Sequence, residues 1–198
     1  MTSYHWASLD AGKKVWRQKA AEIRSDLEID HPRHLAPLAE FLQSNARQPG
    51  WVVGFRAMAG EVDLASLMSR TELGPFALTR TPDSSMDLTV HPADSPTELH
   101  RYGFEQPAAR SPNIADADIA VVLVPGLVFG HDGSRLGRGK GYYDRFLARL
   151  VASTASTPGP ALVAITADVV TTSVPTDSHD ITMTHLATST GISPVEVR

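Results

Sequence analysis

Six consecutive apolar residues, Ile119-Ala120-Val121-Val122-Leu123-Val124, leave few places in a fold for this stretch to go. A run that is apolar throughout suits a central strand covered on both faces, and parallel sheets flanked by helices have such strands. Pro125-Gly126 ends the run, a glycine-rich loop follows about ten residues later, and Tyr143, Phe146, Leu147 and Leu150 then recur at helical spacing. The succession is strand, glycine-rich loop, helix. Shorter runs at Trp51 to Phe55, Phe76 to Thr79 and Ala161 to Thr166 read as companion strands, with Val62, Leu64, Leu67 and Met68 forming a short helix between two of them. Upstream, Trp16, Ala20, Ile23 and Leu27 mark an amphipathic helix between Asp10 and Asp30. Pro32 opens a second helix through Leu35, Leu38, Phe41 and Leu42 that ends before Gln48-Pro49-Gly50. This alternation predicts a layered α/β/α fold with a largely parallel, Rossmann-like open central sheet.

A chain of 198 residues suits one well-filled core, so residues 1–198 are expected to form a single domain. The Pro-, Ser- and Thr-rich stretches Thr81 to Pro96, Arg110 to Asn113 and Ala152 to Pro160 read as surface loops. The absence of cysteine excludes disulfides, thiolate nucleophiles and cysteine-ligated zinc. No apolar segment follows a basic start at the N-terminus, and none reaches the roughly 20 residues of a membrane span, which points to a soluble cytoplasmic protein, expected as a monomer. A net charge of −4 gives no reason to expect nucleic acid or a membrane surface as partner, while a local basic loop remains compatible with a small anionic ligand.

That loop, Arg135-Leu136-Gly137-Arg138-Gly139-Lys140-Gly141-Tyr142-Tyr143-Asp144, has a phosphate-handling composition. Gly137, Gly139 and Gly141 can adopt positive φ and admit ligand oxygens to the main chain, while Arg135, Arg138 and Lys140 supply charge. Asp144 is a candidate for an accompanying divalent metal. In open α/β sheets ligands bind beyond the carboxyl ends of the strands, which is where this loop should lie. Its spacing is neither a Walker loop nor a dinucleotide fingerprint. Tyr143, leading into Phe146, Leu147 and Leu150, reads as core.

Leu123-Val124-Pro125-Gly126-Leu127-Val128-Phe129 followed by Asp132-Gly133-Ser134-Arg135 through Tyr142-Tyr143-Asp144 resembles the signature of the 5-formyltetrahydrofolate cyclo-ligase family, also called 5,10-methenyltetrahydrofolate synthetases. Lys13-Lys14-Val15-Trp16-Arg17 resembles its nucleotide-contact motif, Glu61-Val62-Asp63 its substrate-contact motif, and Val174 to Asp180 its Pro-to-His-Asp segment, all in family order.

The resemblance implies an ATP- and Mg²⁺-dependent conversion of 5-formyltetrahydrofolate, possible polyglutamylated forms included, to 5,10-methenyltetrahydrofolate with release of ADP and phosphate. Under it, Lys13 and Arg17, four apart on the first helix, contact ATP phosphates together with Arg135, Gly137, Arg138, Gly139, Lys140 and Gly141. Arg138, Lys140 and Tyr142 carry the catalytic roles. Glu61 and Tyr142 contact the folate, and Asp144 and Asp180 hold the metal. Taken without the resemblance, Lys13 and Arg17 also fit a solvated helix face, Glu61 a helix-start acid and Asp180 a cap.

Three positions depart from the family pattern: Leu64 stands where Thr is usual, Gln106 is inserted before Pro107, and Met183-Thr184 replaces a Val-Asp pair. Those at Leu64 and Met183 motivate a second expectation, a catalytically weakened nucleotide- or folate-binding module of the same family. His131, His179 and His185 lack metal-ligand spacing and read as solvated or structural. No serine-hydrolase elbow is present, and glycine-interleaved cations without an RRM or KH pattern do not fit RNA binding.

Overall fold

The computed structural model describes residues 4–45, 50–101, 103–153 and 159–195. Its centre is a seven-stranded sheet formed by β1 (Trp51–Gly54), β2 (Phe76–Arg80), β3 (Thr89–Pro92), β6 (Ile119–Pro125), β9 (Ala161–Ile165), β11 (His185–Thr188) and β12 (Gly191–Pro194). Two small sheets stand apart: β4 (Thr97–Leu99) with β5 (Glu105–Pro107), and β7 (Val128–Gly130) between β8 (Arg135–Leu136) and β10 (Val170–Thr171). The helices are α1 (Gly12–Ser25), α2 (His31–Asn45), α3 (Ala65–Met68) and α4 (Tyr142–Ser153).

Across the main sheet the order is β12-β11-β9-β6-β1-β2-β3, with only the β2–β3 and β11–β12 pairs antiparallel. The five parallel strands therefore run 2-1-3-4-5 in order of occurrence, the doubly wound order whose reversal lies between β1 and β6. This is the layered, largely parallel α/β sheet expected from the apolar runs.

Strand alternation explains both cores. Val52, Val121, Leu123, Val163 and Ile165 pack with Leu35, Leu38 and Leu42 of α2, whereas Val53, Val122, Val124, Leu162 and Ala164 pack with Phe146, Leu147 and Leu150 of α4. β6 is thus buried on both faces, which is why its sequence shows no polar alternation. Truncating fully buried Phe146 to alanine would cost about 3–5 kcal/mol. On a third side, Trp16 and Ala20 of α1 cover Val128 and Leu136 of the small three-stranded sheet and Leu127 and Val169 beside it.

Several boundaries differ from expectation. Thr81 to Pro96 is not wholly loop: Thr89–Pro92 forms a strand paired with β2, and buried Val90 supplies the apolar anchor that a Pro- and Ser-rich composition obscured. α1 ends at Ser25, short of Asp30. Ala152 and Ser153 belong to α4, while residues 154–158, like Gln48, Pro49 and Tyr102, lie outside the described residues. No helix among the described residues is long and apolar enough to cross a membrane.

Candidate functional site

The glycine-rich loop leaves β8 and enters α4, which packs on the sheet through Phe146, Leu147 and Leu150. That anchoring sets the loop beside the residues that follow β1 and β6. A cavity of about 500 Å³ lies there, lined by the loop from Gly137 to Asp144, by Phe55, Met58 and Glu61 beyond β1, by Pro125 and Gly126 at the end of β6, and by Phe104 and Glu105 of the β4–β5 hairpin. It sits at the reversal point of the sheet, where open α/β folds bind ligands.

Arg135 is buried, and its guanidinium donates to the Asp144 carboxylate and, at 3.3 Å, to the Pro125 carbonyl. Asp144, a first-turn residue of α4, is therefore tied to the end of β6 through Arg135. The Arg135 guanidinium also lies 5.8 Å from the centre of the Tyr143 ring. Tyr143 is half-buried and its hydroxyl meets Thr79 Oγ1 at 3.3 Å. Burial pushes that phenol well above its ordinary value, so it is fixed as a neutral group. Tyr143 thus combines the core contact expected of it with a place in the cavity wall.

Arg138 reaches back across the chain to Glu61, donating to Oε1 through Nε at 3.1 Å and Nη2 at 2.9 Å. The other oxygen of Glu61 accepts from the Met58 N–H at 2.9 Å, so both carboxylate oxygens are held and the group is almost wholly buried. Lys140 is exposed and, among the described residues, makes no ion pair. Tyr142 is part-exposed at the start of α4 and faces the same cavity. Of the three loop glycines, Gly139 and Gly141 adopt positive φ, +87° and +76°, but Gly137 does not. At Gly139 the reason is double: the Arg17 guanidinium lies where a side chain would project.

Lys13 and Arg17 do not line the cavity; each grips a segment beside it. Arg17 Nε donates to the Gly137 carbonyl at 2.9 Å. Lys13 bridges Asp177 at 2.7 Å and Asp180 at 2.5 Å. Burial raises the Asp180 carboxyl, but bonds from Lys13 and the Asp177 N–H outweigh it and hold the group below the ordinary carboxylate range. Burial likewise lowers Lys13, and the two carboxylates outweigh it and raise the ammonium. His179 joins Asp177 and Asp180 in a cluster whose ligand atoms lie within 4.8 Å of one another, with Lys13 as the cation already among them. His185 instead packs against Phe41 at 5.0 Å, and burial lowers its ring.

The expected loop residues, Glu61 and Tyr142 converge on one cavity, while Lys13, Arg17 and Asp180 form an adjoining belt. Phe55, Met58, Phe104 and Glu105 were not legible as site residues, since single apolar or acidic residues carry no spacing signal. The three departures have structural explanations. Leu64 and Met183 are core, and Gln106 is buried with its Oε1 accepting from the Thr81 N–H at 3.0 Å. None of the three lines this cavity.

Residues 63–189, well over half of the chain, match the family model described as the 5-formyltetrahydrofolate cyclo-ligase family. This chain belongs to the 5-formyltetrahydrofolate cyclo-ligase family. The matched span holds the whole glycine-rich loop and the segment to Asp180. A 5-formyltetrahydrofolate cyclo-ligase of Mus musculus is 33% identical over 98 residues, half of this chain and 46% of that protein. One from Mycolicibacterium smegmatis is 38% identical over 38% of this chain and 35% of its own length, so these two matches span less than half of either relative. The mitochondrial family member of Arabidopsis thaliana is 25% identical across 100% of this chain and 82% of its own length. Among solved structures, the 5,10-methenyltetrahydrofolate synthetase of Aquifex aeolicus is 25% identical with a TM-score of 0.70 over 93% of both chains. That of Mycoplasma pneumoniae, 17% identical, shares the fold with a TM-score of 0.66 over 88% of this chain and 97% of its own.

Proposed function

We propose that this chain converts 5-formyltetrahydrofolate to 5,10-methenyltetrahydrofolate at the expense of ATP, releasing ADP and phosphate. The observation that carries the reading is the cavity at the β1–β6 reversal, lined both by the glycine-rich cationic loop and by Glu61 with apolar Phe55, Met58 and Phe104. A flat heteroaromatic ring fits the second set of residues, and phosphates fit the first.

The chemical logic follows from the substrate. A formamide oxygen is a poor leaving group; transfer of the γ-phosphoryl group to it makes the formyl carbon open to attack by N10. Loss of phosphate and of the N10 proton then leaves the cyclic methenyl product. Phosphoryl transfer asks the protein chiefly for positioning and charge neutralisation. Lys140, exposed at the cavity, supplies a point charge to the transferring group, and the amides of Gly139 and Gly141, in the loop leading into α4, supply donors. Arg135 and Arg17 brace the loop, donating to the Pro125 and Gly137 carbonyls, while Lys13 stands in the adjoining belt with Asp177 and Asp180. Glu61 accepts N–H bonds from the aminopyrimidine edge of the pterin, and Tyr142 stacks on or bonds the folate near its formyl group.

Magnesium fits the donor chemistry at hand, since it takes one or two carboxylates along with substrate phosphates. Asp144 lines the cavity and Asp180 stands in the neighbouring belt, each now neutralised by a side chain, Arg135 and Lys13 respectively. Bound there, the ion would offset charge on the phosphates.

Incubation with 5-formyltetrahydrofolate, ATP and Mg²⁺, followed by the absorbance of methenyltetrahydrofolate, tests the reading. Tight ATP or folate binding without product would support a binding module instead.

A further inference from the structure

Beside the first cavity lies a second, of about 910 Å³, and Glu61 and Arg138 belong to the walls of both. The second cavity is also lined by Arg24, a residue of the last turn of α1 that has no part in the reading above. Arg24 is 8% exposed, unusual for an arginine, in a helix whose Lys14 is exposed and whose Lys19 is part-exposed. Its guanidinium leaves the helix and donates to two carbonyls, that of Leu127 at 3.0 Å and that of Gly60.

The position of those two acceptors gives the contact its meaning. Gly60 precedes Glu61 in the segment that follows β1, and Leu127 follows the Pro125-Gly126 end of β6. These strands are neighbours, and the reversal of the sheet lies between them. Arg24 therefore ties together the two segments that diverge at the ligand-binding crevice. The Leu127 N–H in turn donates to the carbonyl of Leu136, the residue before Gly137, at 2.8 Å. Gly60 has φ +79°, a conformation that favours glycine, and Arg24 Nε, Cβ and backbone O lie 3.4–3.6 Å from where its side chain would begin, so the Gly60 turn packs directly against Arg24.

We infer that Arg24 is a positioning residue for the folate side of the site, holding Gly60 and Leu127 so that Glu61 faces Arg138 and the cavity; this rests on the function proposed above. Lys13, Arg17 and Arg24 lie at i, i+4 and i+11 along α1, and each grips a different segment: Asp177 and Asp180, Gly137, and Gly60 with Leu127. The helix is a spine to which separate loops of the crevice are fastened. Arginine suits the third place because its planar fork reaches two divergent carbonyls at once, which a single ammonium does less well.

The test compares full-length Arg24→Met, Arg24→Lys and, as a helix-surface control, Lys19→Ala. Initial rates are taken with folate varied at saturating ATP, and with ATP varied at saturating folate. Hydrogen exchange is followed at the Met58 and Glu61 amides, which close the Glu61 turn. Loss of the charged hydrogen bonds should raise the folate KM of Arg24→Met roughly tenfold to a hundredfold, leave the ATP KM within about twofold, and speed exchange at both amides. Arg24→Lys should fall between it and the native chain, and Lys19→Ala should match the native chain. A uniform fall in kcat with both KM values unchanged, or unaltered exchange, would overturn the inference. If Arg24→Met does not fold, the same comparison made on Arg24→Lys decides. If the native chain makes no methenyl product, the functional reading fails, whereas the exchange rates still judge whether Arg24 holds the turn.

Discussion

Arg138 and Glu61, 77 residues apart in sequence, share one ion pair in which two guanidinium nitrogens meet a single carboxylate oxygen. The cation assigned to phosphate and the carboxylate assigned to the pterin are thus each other's partners. Glu61 is the buried member and Arg138 the exposed one. A ligand that recruits either group changes the charge seen by the other.

Glu61→Gln should therefore affect both substrates, raising the folate KM by about tenfold and the ATP KM by a smaller factor. A double-mutant cycle with Arg138→Ala measures the link: the effects on folate binding should be clearly non-additive, as they are for residues in one network. Additive effects would mean that the pair has no energetic consequence for binding.

Lys140 lacks an ion-pair partner among the described residues, in contrast to Arg135 and Arg138. Lys140→Ala should leave thermal stability unchanged, as expected of a surface position, and should weaken ATP use. Steady-state kinetics with varied ATP and a melting curve together check this. An unchanged ATP KM and kcat would remove Lys140 from the phosphate site.

Asp144 has two potential roles that separate experimentally. As partner of buried Arg135, it contributes to stability, and Asp144→Ala should cost about 3 kcal/mol because an unpaired guanidinium is left inside. As a metal ligand, it sets the Mg²⁺ requirement, so Asp144→Asn, which keeps an acceptor oxygen, should shift the Mg²⁺ titration of activity to higher concentration. A normal titration with the stability loss intact would leave only the structural role.

Lys13 and Asp180 give a pH dependence of definite sign. Asp180 is held below its ordinary value of 3.8, so its contribution is fully present above that value and is lost as pH falls through the lower folded value. Lys13 is held above its ordinary value of 10.5, so its contribution is present below that value and is lost as pH rises through the higher folded value. Melting temperatures of the native chain and Asp180→Asn should differ most between these limits, by roughly 2–4 °C for about 1 kcal/mol, and converge in acid. Curves that stay parallel into acid would contradict the pairing.

Much of this was readable from sequence where one local pattern governs structure. The unbroken apolar run from Ile119 to Val124 reported burial on two faces, and the glycines beside Arg138 and Lys140 marked the loop at the strand end. Strand Thr89–Pro92 was missed because its partner, β2, rather than its own composition, makes it a strand. Arg24 was illegible for a related reason. Its carbonyl acceptors, Gly60 and Leu127, are backbone groups from distant segments, and backbone acceptors leave no trace in residue identity. The pairing of Arg138 with Glu61 likewise depends on β1 and β6 lying side by side, a relation of topology rather than of motif.

The function proposed above requires one cavity to couple a nucleotide to a formylated folate. Its most direct measurement is ADP and methenyltetrahydrofolate formed in the same reaction, with ADP also followed when the folate is withheld. One ADP per methenyl product is expected, with negligible ADP when 5-formyltetrahydrofolate is withheld. ADP release that ignores the folate, or no methenyl product from a folded chain supplied with ATP and Mg²⁺, would contradict the proposed function.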